Sequence, residues 1–202
     1  MSGMSWDERY AEADFAYGTQ PNNFMVDVIT EIPKGRVLCL CEGEGRNAVY
    51  LAEQGYTVTA VDASAVGMAK AQRLATERGV TIETIVSDLG DFVIPINTFD
   101  AVVSIFCHVP KDLRIKVHQQ VIHGLKKNGV LVLEAYVPKQ LELATGGPPT
   151  AELMMDLQGL KVELEGLELI HAEEKVREII EGKYHSGQGA VVQVVARKTK
   201  TV

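Results

Sequence analysis

One stretch of the chain combines residue types that could hold a polar ligand, the run VLCLCEGEGRNA at residues 37–48. An apolar segment leads directly into Gly43, Glu44 and Gly45, and a helical pattern begins at once. Glycine lets the backbone turn sharply and approach a ligand closely. A helix N-terminus then presents free N–H groups to polar atoms. GEGRNA also satisfies the G-x-G-x-x-G/A pattern of dinucleotide-binding turns, and a strand-to-helix turn without a ligand stays an alternative.

Two aspartates follow later strand-like runs. Asp62 ends TVTAVD, 17 residues after Gly45, where a carboxylate can accept both hydroxyls of a ribose. Asp88, in the triplet S-D-L, could accept an exocyclic amino hydrogen of adenine while Leu89 packs on the ring. The plainer alternatives are a helix cap for Asp62 and an ordinary loop acid for Asp88. The run FDAVVSIFCHVP at residues 99–110 brings a further polar group to the same crevice.

The elements that must position these residues alternate between β-branched runs and helical patterns. This alternation predicts parallel strands covered by helices on both faces. The predicted strands are 36–41, 56–61, 80–86, 101–106 and 130–136, and the predicted helices are 47–54, one between the N-cap Ser64 and Gly79, and 111–125. After Pro149 come one short helix and two strands, 167–178 and 190–197, which we expect to form an antiparallel edge hairpin. The predicted fold class is an α/β Rossmann-like doubly wound sheet of five parallel strands plus a C-terminal β-hairpin, seven strands in all.

The N-terminal segment is rich in aromatic residues. Trp6 and Tyr10 are four residues apart and share a helix face, Tyr17 follows, and Pro21 suits the first turn of a second helix. We expect a lid over a ligand at the carboxyl ends of the strands. A plain cap on the sheet edge is the alternative.

The composition of the chain limits its domain organisation and the partners that it can bind. The 202 residues, 46% hydrophobic and 23% charged, suit one domain: a lid segment at 1–34, a cofactor-binding core at 35–136, and an insertion with the hairpin at 137–202. The net charge of −7 argues against nucleic acid and anionic membranes as partners. No apolar run approaches the roughly 20 residues of a membrane span, and no signal sequence is evident. We therefore expect a cytoplasmic monomer or homodimer.

The three cysteines are an odd number in apolar runs, and we expect them to be reduced core thiols. Cys39 and Cys41 would point to one face of a strand, so a metal pair is conceivable. Plain packing is the favoured reading, and no metal site is predicted.

Together these motifs resemble the class I S-adenosylmethionine-dependent methyltransferases over nearly the whole chain. The glycine turn, Asp62, S-D-L and F-D-A-V-V fall in the order and spacing of that family. The chain is more narrowly similar to small methyltransferases of the tellurite-resistance and thiopurine-methyltransferase type. That likeness rests on WDERY with YGTQPN near the start, TGGPP at residues 145–149, and REIIEGKYHSG at residues 177–187.

The resemblance implies S-adenosylmethionine as the cofactor. The backbone at Gly43 and Gly45 would run past the methionine part of the cofactor. Asp62 would hold the ribose, and Asp88 would hold the adenine. The full predicted cofactor-binding set is Glu42, Gly43, Glu44, Gly45, Arg46, Asp62, Ala63, Met68, Asp88, Leu89, Ile105 and Phe106. The chain departs from the family at Cys39, where an acid is usual, and at Cys41, where the first glycine is usual. Because a thiol cannot pair with an ammonium as a carboxylate can, we expect Glu42 or backbone carbonyls to take that group.

The predicted reaction is in-line transfer of the methyl group to a small-molecule acceptor. Only the N-terminal segment and a short insertion at residues 138–158 are left to shape a pocket. A soft nucleophile, such as a thiol or a chalcogen oxyanion, would need little help from a base. His108 is the candidate base, with a backbone-bonded histidine as the alternative, and Tyr10 and Tyr17 would close over the acceptor.

The predicted acceptor contacts are Trp6, Arg177 and His185. Arg177 and His185 would grip an anionic acceptor, and an exposed structural pair is the alternative. Two other functions stay open. The first is a non-catalytic S-adenosylmethionine-binding protein, because the two cysteines break the usual motif. The second is a nicotinamide-dependent oxidoreductase, which the edge hairpin and the lack of Tyr-x-x-x-Lys disfavour.

Overall fold

The computed structural model describes residues 5–199 of the chain; residues 1–4 and 200–202 of the predicted domain lie outside that range. Its centre is a sheet of seven strands: β1 Arg36–Leu40, β2 Thr57–Asp62, β3 Glu83–Val86, β4 Phe99–Ile105, β5 Leu125–Tyr136, β6 Glu168–Glu181 and β7 His185–Arg197. The strand order is β3-β2-β1-β4-β5-β7-β6. β1 to β5 run parallel, and β7 is antiparallel to both β5 and β6. The predicted fold class is confirmed.

Helices cover both faces of the sheet. They are α1 Trp6–Tyr10, α2 Asn23–Asp27, α3 Arg46–Glu53, α4 Ala65–Glu77, α5 Lys111–Gly124, α6 Gln140–Leu143 and α7 Leu157–Glu163, with 3-10 turns at Ile29–Glu31 and Ala151–Leu153. α3 and α4 share one apolar core with alternate residues of the central strands, and α5 and α7 share the other. Strands that are apolar on both faces are what a doubly covered sheet requires. Among the described residues, no helix has both the length and the apolar character to cross a bilayer.

Several element boundaries differ from the predictions. The chain enters β3 only at Glu83, because the amide of Val80 donates to the carbonyl of Ala75 and completes the end of α4. The hairpin strands are longer than predicted and leave only residues 182–184 between them. Pro21 precedes the N-cap Asn22, whose side chain accepts from the amide of Met25, so the proline lies outside the helix.

The expectation that Cys39 and Cys41 share one strand face is wrong. Cys39 belongs to the core beneath α3 and α4, whereas Cys41 packs against the core on the opposite face. The cause is local. β1 ends at Leu40, and Cys41 has a left-handed backbone with φ of 50°, so the alternation of a strand no longer applies. Within residues 5–199, no cluster of three or more His, Cys, Asp or Glu side chains is arranged to hold a metal ion.

Candidate active site

A cavity of about 480 Å³ opens at the carboxyl ends of β1, β2 and β4, beneath the N-terminal segment. This is the edge of a parallel sheet where ligands usually bind. Most of the predicted site residues line it: Trp6, Tyr10, Tyr17, Glu42, Glu44, Arg46, Asp62, Ala63, Asp88, Leu89, Ile105, Phe106, His108 and His185. Gly43, Gly45, Met68 and Arg177 are not among the lining residues. The structure therefore brings together residues from the whole length of the chain around one space.

The glycine turn supports the cavity from below. Gly43 and Gly45 both have left-handed backbones, with φ of 63° and 92°. A Cβ atom on Gly45 would lie 2.7 Å from the Cα of Ala71, and one on Gly43 would lie 2.6 Å from the hydroxyl of Tyr10. The two glycines thus allow α4 and the N-terminal segment to approach the turn closely.

Two carboxylates stand at the strand ends, as predicted. Asp62 ends β2, and its carboxylate accepts from the amides of Gly43 at 2.9 Å and Ser64 at 2.8 Å. Burial raises the pKa of Asp62 in spite of these amides. Asp88 is exposed and accepts from the amide of Gly90 at 2.6 Å. Leu89 is buried beside Asp88, so an acid and an apolar wall occupy the region predicted for adenine.

Glu42 is tied to the start of α3. Its Oε1 accepts from the amides of Asn47 at 2.9 Å and Ala48 at 2.8 Å, which satisfies two of the free N–H groups of the helix. Burial raises the pKa of Glu42 from 4.5 to about 7, although these amides and Arg46 act against the rise. Glu42 is therefore not an exposed turn charge, and only its Oε1 takes part in these bonds.

Glu44 and Lys70 hold the N-terminal segment against the glycine turn. Oε2 of Glu44 accepts from the amide of Ala16 at 2.8 Å, and Oε1 pairs with Nζ of Lys70. Nζ of Lys70 also donates to the carbonyls of Glu12 at 2.9 Å and Asp14 at 2.7 Å. The glycine turn and the segment above it are thus one hydrogen-bonded unit, which fits both the predicted lid and its alternative, a cap on the sheet edge.

Aromatic side chains form the outer wall of the cavity. Trp6 stacks on Tyr10, and Tyr10 meets Tyr17 edge to face, with ring centroids 5.7 and 6.3 Å apart. Arg9 donates to the hydroxyl of Tyr17 at 3.0 Å and lies over the rings of Trp6 and Tyr184. Aromatic stacking and cation–π contacts of this kind favour a closed arrangement.

His108 is held by the backbone on both ring nitrogens. Nδ1 lies 3.0 Å from the carbonyl oxygen of Leu153, and Nε2 accepts from the amide of Tyr136 at 3.3 Å. Burial lowers the pKa of His108 to about 4. Its lone pair is occupied and protonation is disfavoured, so the geometry supports the alternative of a structural histidine over the predicted base.

His185 is the imidazole that faces the cavity without a hydrogen bond among the described residues. Its Nδ1 lies 3.8 Å from a carboxylate oxygen of Glu181 and has no partner within hydrogen-bond range. The rings of Tyr17 and Phe106 lie 4.6 and 4.9 Å from its ring. Burial lowers the pKa of His185, which favours a neutral ring at neutral pH.

Arg177 lies behind the cavity in a buried ionic network. Its guanidinium donates to both carboxylate oxygens of Glu134, at 2.8 and 2.7 Å, and to Glu181 at 3.2 Å. Arg46 donates to the other oxygen of Glu181 at 2.6 Å. The structure therefore does not bring Arg177 to the acceptor space, because Glu134 and Glu181 already engage its donors.

Sequence reasoning missed part of the lining. The residues not predicted are Arg9, Gly18, Cys41, Asn47, Ser87, Val109, Leu113, Gly146, Gly147, Pro148, Pro149, Leu153 and Tyr184. TGGPP, which carried the family resemblance, signalled Gly146 to Pro149. Nothing local signalled Leu113 or Leu153, since α5 and the insertion reach the cavity only through long-range packing.

Known proteins share both the domain and the fold. Residues 37–129 match the family model described as a methyltransferase domain. The chain is 31% identical over 98 residues to the uncharacterized methyltransferase YbaJ of Bacillus subtilis strain 168, a match that spans 48% of this chain and 38% of that protein. It is similar to TehB from Haemophilus influenzae, with a TM-score of 0.75 at 19% identity over 95% of this chain and 66% of that one. It is also similar to a SAM-dependent methyltransferase from Methanosarcina mazei, with a TM-score of 0.68 at 18% identity over 90% of this chain and 100% of that one.

These findings confirm the class that the motifs predicted. Residues 37–129 match a methyltransferase domain, and the chain shares the fold of TehB and of the SAM-dependent methyltransferase from Methanosarcina mazei. The residues present would suit S-adenosylmethionine, because the cavity lining includes the carboxylates of Asp62 and Asp88 and the apolar side chains of Leu89 and Ile105. The identity to the solved structures is low and concerns the fold. The curated relative is matched over little more than a third of its length.

Proposed function

We propose that this protein transfers a methyl group from S-adenosylmethionine to a small-molecule acceptor with a soft nucleophilic atom. The observation that carries the proposal is one continuous cavity with two different ends. One end offers Asp62 and Asp88 with the apolar Leu89 and Ile105, which suits an adenosyl group. The other end is bounded by aromatic rings and His185, which leaves room for an acceptor.

The cofactor, when bound, supplies a methyl group that is already activated on a sulfonium. The chain has to bind, orient and exclude water. Asp62 and Asp88 would bind the nucleoside, while Tyr10 and Tyr17 close the cavity from above. Holding two reactants in line can lower a barrier by roughly 7–11 kcal/mol, so a site with few acid–base groups is sufficient.

The small number of acid–base groups in the cavity favours a thiolate or a chalcogen oxyanion as the acceptor. Both ring nitrogens of His108 are used by the backbone. His185 is then the group able to hold an acceptor proton, with Glu181 at 3.8 Å to stabilise the charged ring. We therefore assign to His185 the role that the sequence had assigned to His108. A soft acceptor needs at most one such proton transfer.

The proposal is tested with an isotopically labelled methyl group. The purified protein is incubated with labelled S-adenosylmethionine and a panel of thiols, selenols, selenite and tellurite, with amines and carboxylic acids as hard comparators, and products are identified by mass spectrometry. We expect a labelled S-, Se- or Te-methyl product. Labelling of hard acceptors alone would overturn the proposal that the acceptor atom is a soft nucleophile. Cofactor binding without any transfer would instead support the non-catalytic alternative.

A further inference from the structure

The cavity wall contains a pair of thiols that the proposed methyl transfer does not use. Cys41 is half-buried and lines the cavity, and Cys107 is buried beside it. Their Sγ atoms lie 2.7 Å apart, which is about 0.7 Å more than the length of a disulfide bond. Both are free cysteines, although 66 positions separate them in the chain.

The backbone around this contact is unusual. Cys41 has a φ of 50°, and Phe106, immediately before Cys107, has a φ of 53°. For a residue with a side chain, a left-handed backbone costs roughly 1–2 kcal/mol, a cost that glycine would avoid at Cys41. Strained conformations of this kind cluster at functional sites. The two left-handed residues allow the ends of β1 and β4 to present their thiols to each other.

We propose that Cys41 and Cys107 are an oxidisable pair that a peroxide converts into an intramolecular disulfide in the cavity wall. Sγ of Cys41 attacks one peroxide oxygen, which gives a sulfenic acid and releases one hydroxyl as water. Sγ of Cys107 then displaces the sulfenic hydroxyl, and the S–S bond forms as the second water leaves. Two thiols lose two electrons and two protons in all, and one hydrogen peroxide becomes two waters.

Access and reactivity follow from the surroundings. A small oxidant can reach Cys41 from the cavity, and Cys107 has to move by less than 1 Å to close the bond. The contact with Cys107 and burial raise the pKa of the Cys41 thiol. Oxidation is therefore slower than at an exposed thiolate. Cys39 is fully buried in the opposite core and serves as the internal control.

The test counts thiols before and after oxidation. The reduced full chain is treated with hydrogen peroxide, quenched, denatured and alkylated, and its mass and peptides are measured. We expect one alkyl group instead of three, located on Cys39, and a peptide pair joined through Cys41 and Cys107. Three alkyl groups, a link that includes Cys39, or an over-oxidised Cys41 beside an alkylated Cys107 would each overturn the proposal.

Two variants and one ligand sharpen the result. Cys39→Ser should still form the link and then carry no alkyl group, whereas Cys107→Ser should form no intramolecular link. S-adenosylhomocysteine should slow formation of the link severalfold if it occupies the cavity beside Cys41. An unchanged rate, with the link still formed, would count against the proposed cofactor position and leave the thiol pair established.

Discussion

Lys70 and Glu44 form a buried ion pair where the N-terminal segment crosses the glycine turn. The Lys70 side chain is only 8% exposed, so water has little access to its ammonium group. The ammonium also donates to three backbone carbonyls of the segment. One lysine on α4 therefore fixes both the turn beneath the cofactor region and the segment that covers it. Closing the cavity and shaping its floor are coupled through this pair.

Replacing Lys70 should loosen the segment above the cavity. Lys70→Met keeps the apolar stem and leaves Glu44 buried without its cation, a change that typically destabilises by about 3–5 kcal/mol. We expect faster hydrogen exchange across residues 10–17 and a higher KM for the acceptor. Arg78→Met, at the C-cap of α4 and paired with Glu53 at the surface, is the matched control and should change little. Equal protection of residues 10–17 in both variants would contradict the coupling.

Removing the charge of Glu42 should weaken binding of the amino-acid part of the ligand and leave binding of its nucleoside part unchanged. Glu42→Gln keeps a side-chain oxygen for the amides of Asn47 and Ala48, so α3 should remain capped. We expect weaker calorimetric binding of S-adenosylhomocysteine and unchanged binding of methylthioadenosine, which lacks the ammonium. Equal losses for both ligands would show that Glu42 acts on the fold of the turn rather than on the ammonium.

Glu42 should also change how the free energy of unfolding depends on pH. Its pKa rises from 4.5 to about 7 on folding, so between these values the folded protein keeps a proton that the unfolded chain has lost. The free energy of unfolding should therefore fall as pH rises from about 4.5 to 7, by about 3 kcal/mol from this group. Urea titrations of the wild type and Glu42→Gln over this range test the sign. A difference between them that grows in favour of the wild type with rising pH would be inconsistent with a raised pKa.

Arg177 should behave as a structural residue. Arg177→Met leaves Glu134 fully buried without its bidentate partner, which we expect to cost about 3–5 kcal/mol in urea unfolding. Lys175→Met on the same strand removes an exposed pair with Glu173 and should cost less than about 1 kcal/mol. An Arg177→Met protein of wild-type stability with a raised KM for an anionic acceptor would instead show a direct contact.

The two cavity histidines should differ in their effect on rate. His185→Gln removes the unpaired ring nitrogen, and we expect kcat to fall by about a hundredfold or more. In the wild type, activity should decline as pH falls through the pKa of His185, which burial holds below 6.5, because the protonated ring cannot accept a proton. His108→Asn keeps a donor for the carbonyl of Leu153 and should preserve the pH profile. Loss of the acidic limb in His108→Asn but not in His185→Gln would reverse the two roles.

Local patterns were enough to predict the sheet and to place two acids of the cavity lining at the ends of strands. Asp62 follows from its place at the end of an apolar run, and the predicted N-cap Ser64 accepts from the amide of Gly67 at 2.9 Å. The acceptor side depended on pairings between distant segments. His108 is captured by Leu153, 45 residues away, and Arg177 by Glu134, 43 residues away. No local pattern encodes such partners, so residue type alone could not tell a free base from a bound one.

The claim that this cavity binds S-adenosylmethionine is tested most directly by calorimetric titration with the demethylated product, S-adenosylhomocysteine. We predict that S-adenosylhomocysteine binds the wild-type protein one to one, that Asp62→Asn binds it much more weakly, and that Asp91→Asn, an exposed acid outside the cavity lining, binds it like the wild type. No heat with the wild type, or identical affinities for wild type and Asp62→Asn, would contradict the account.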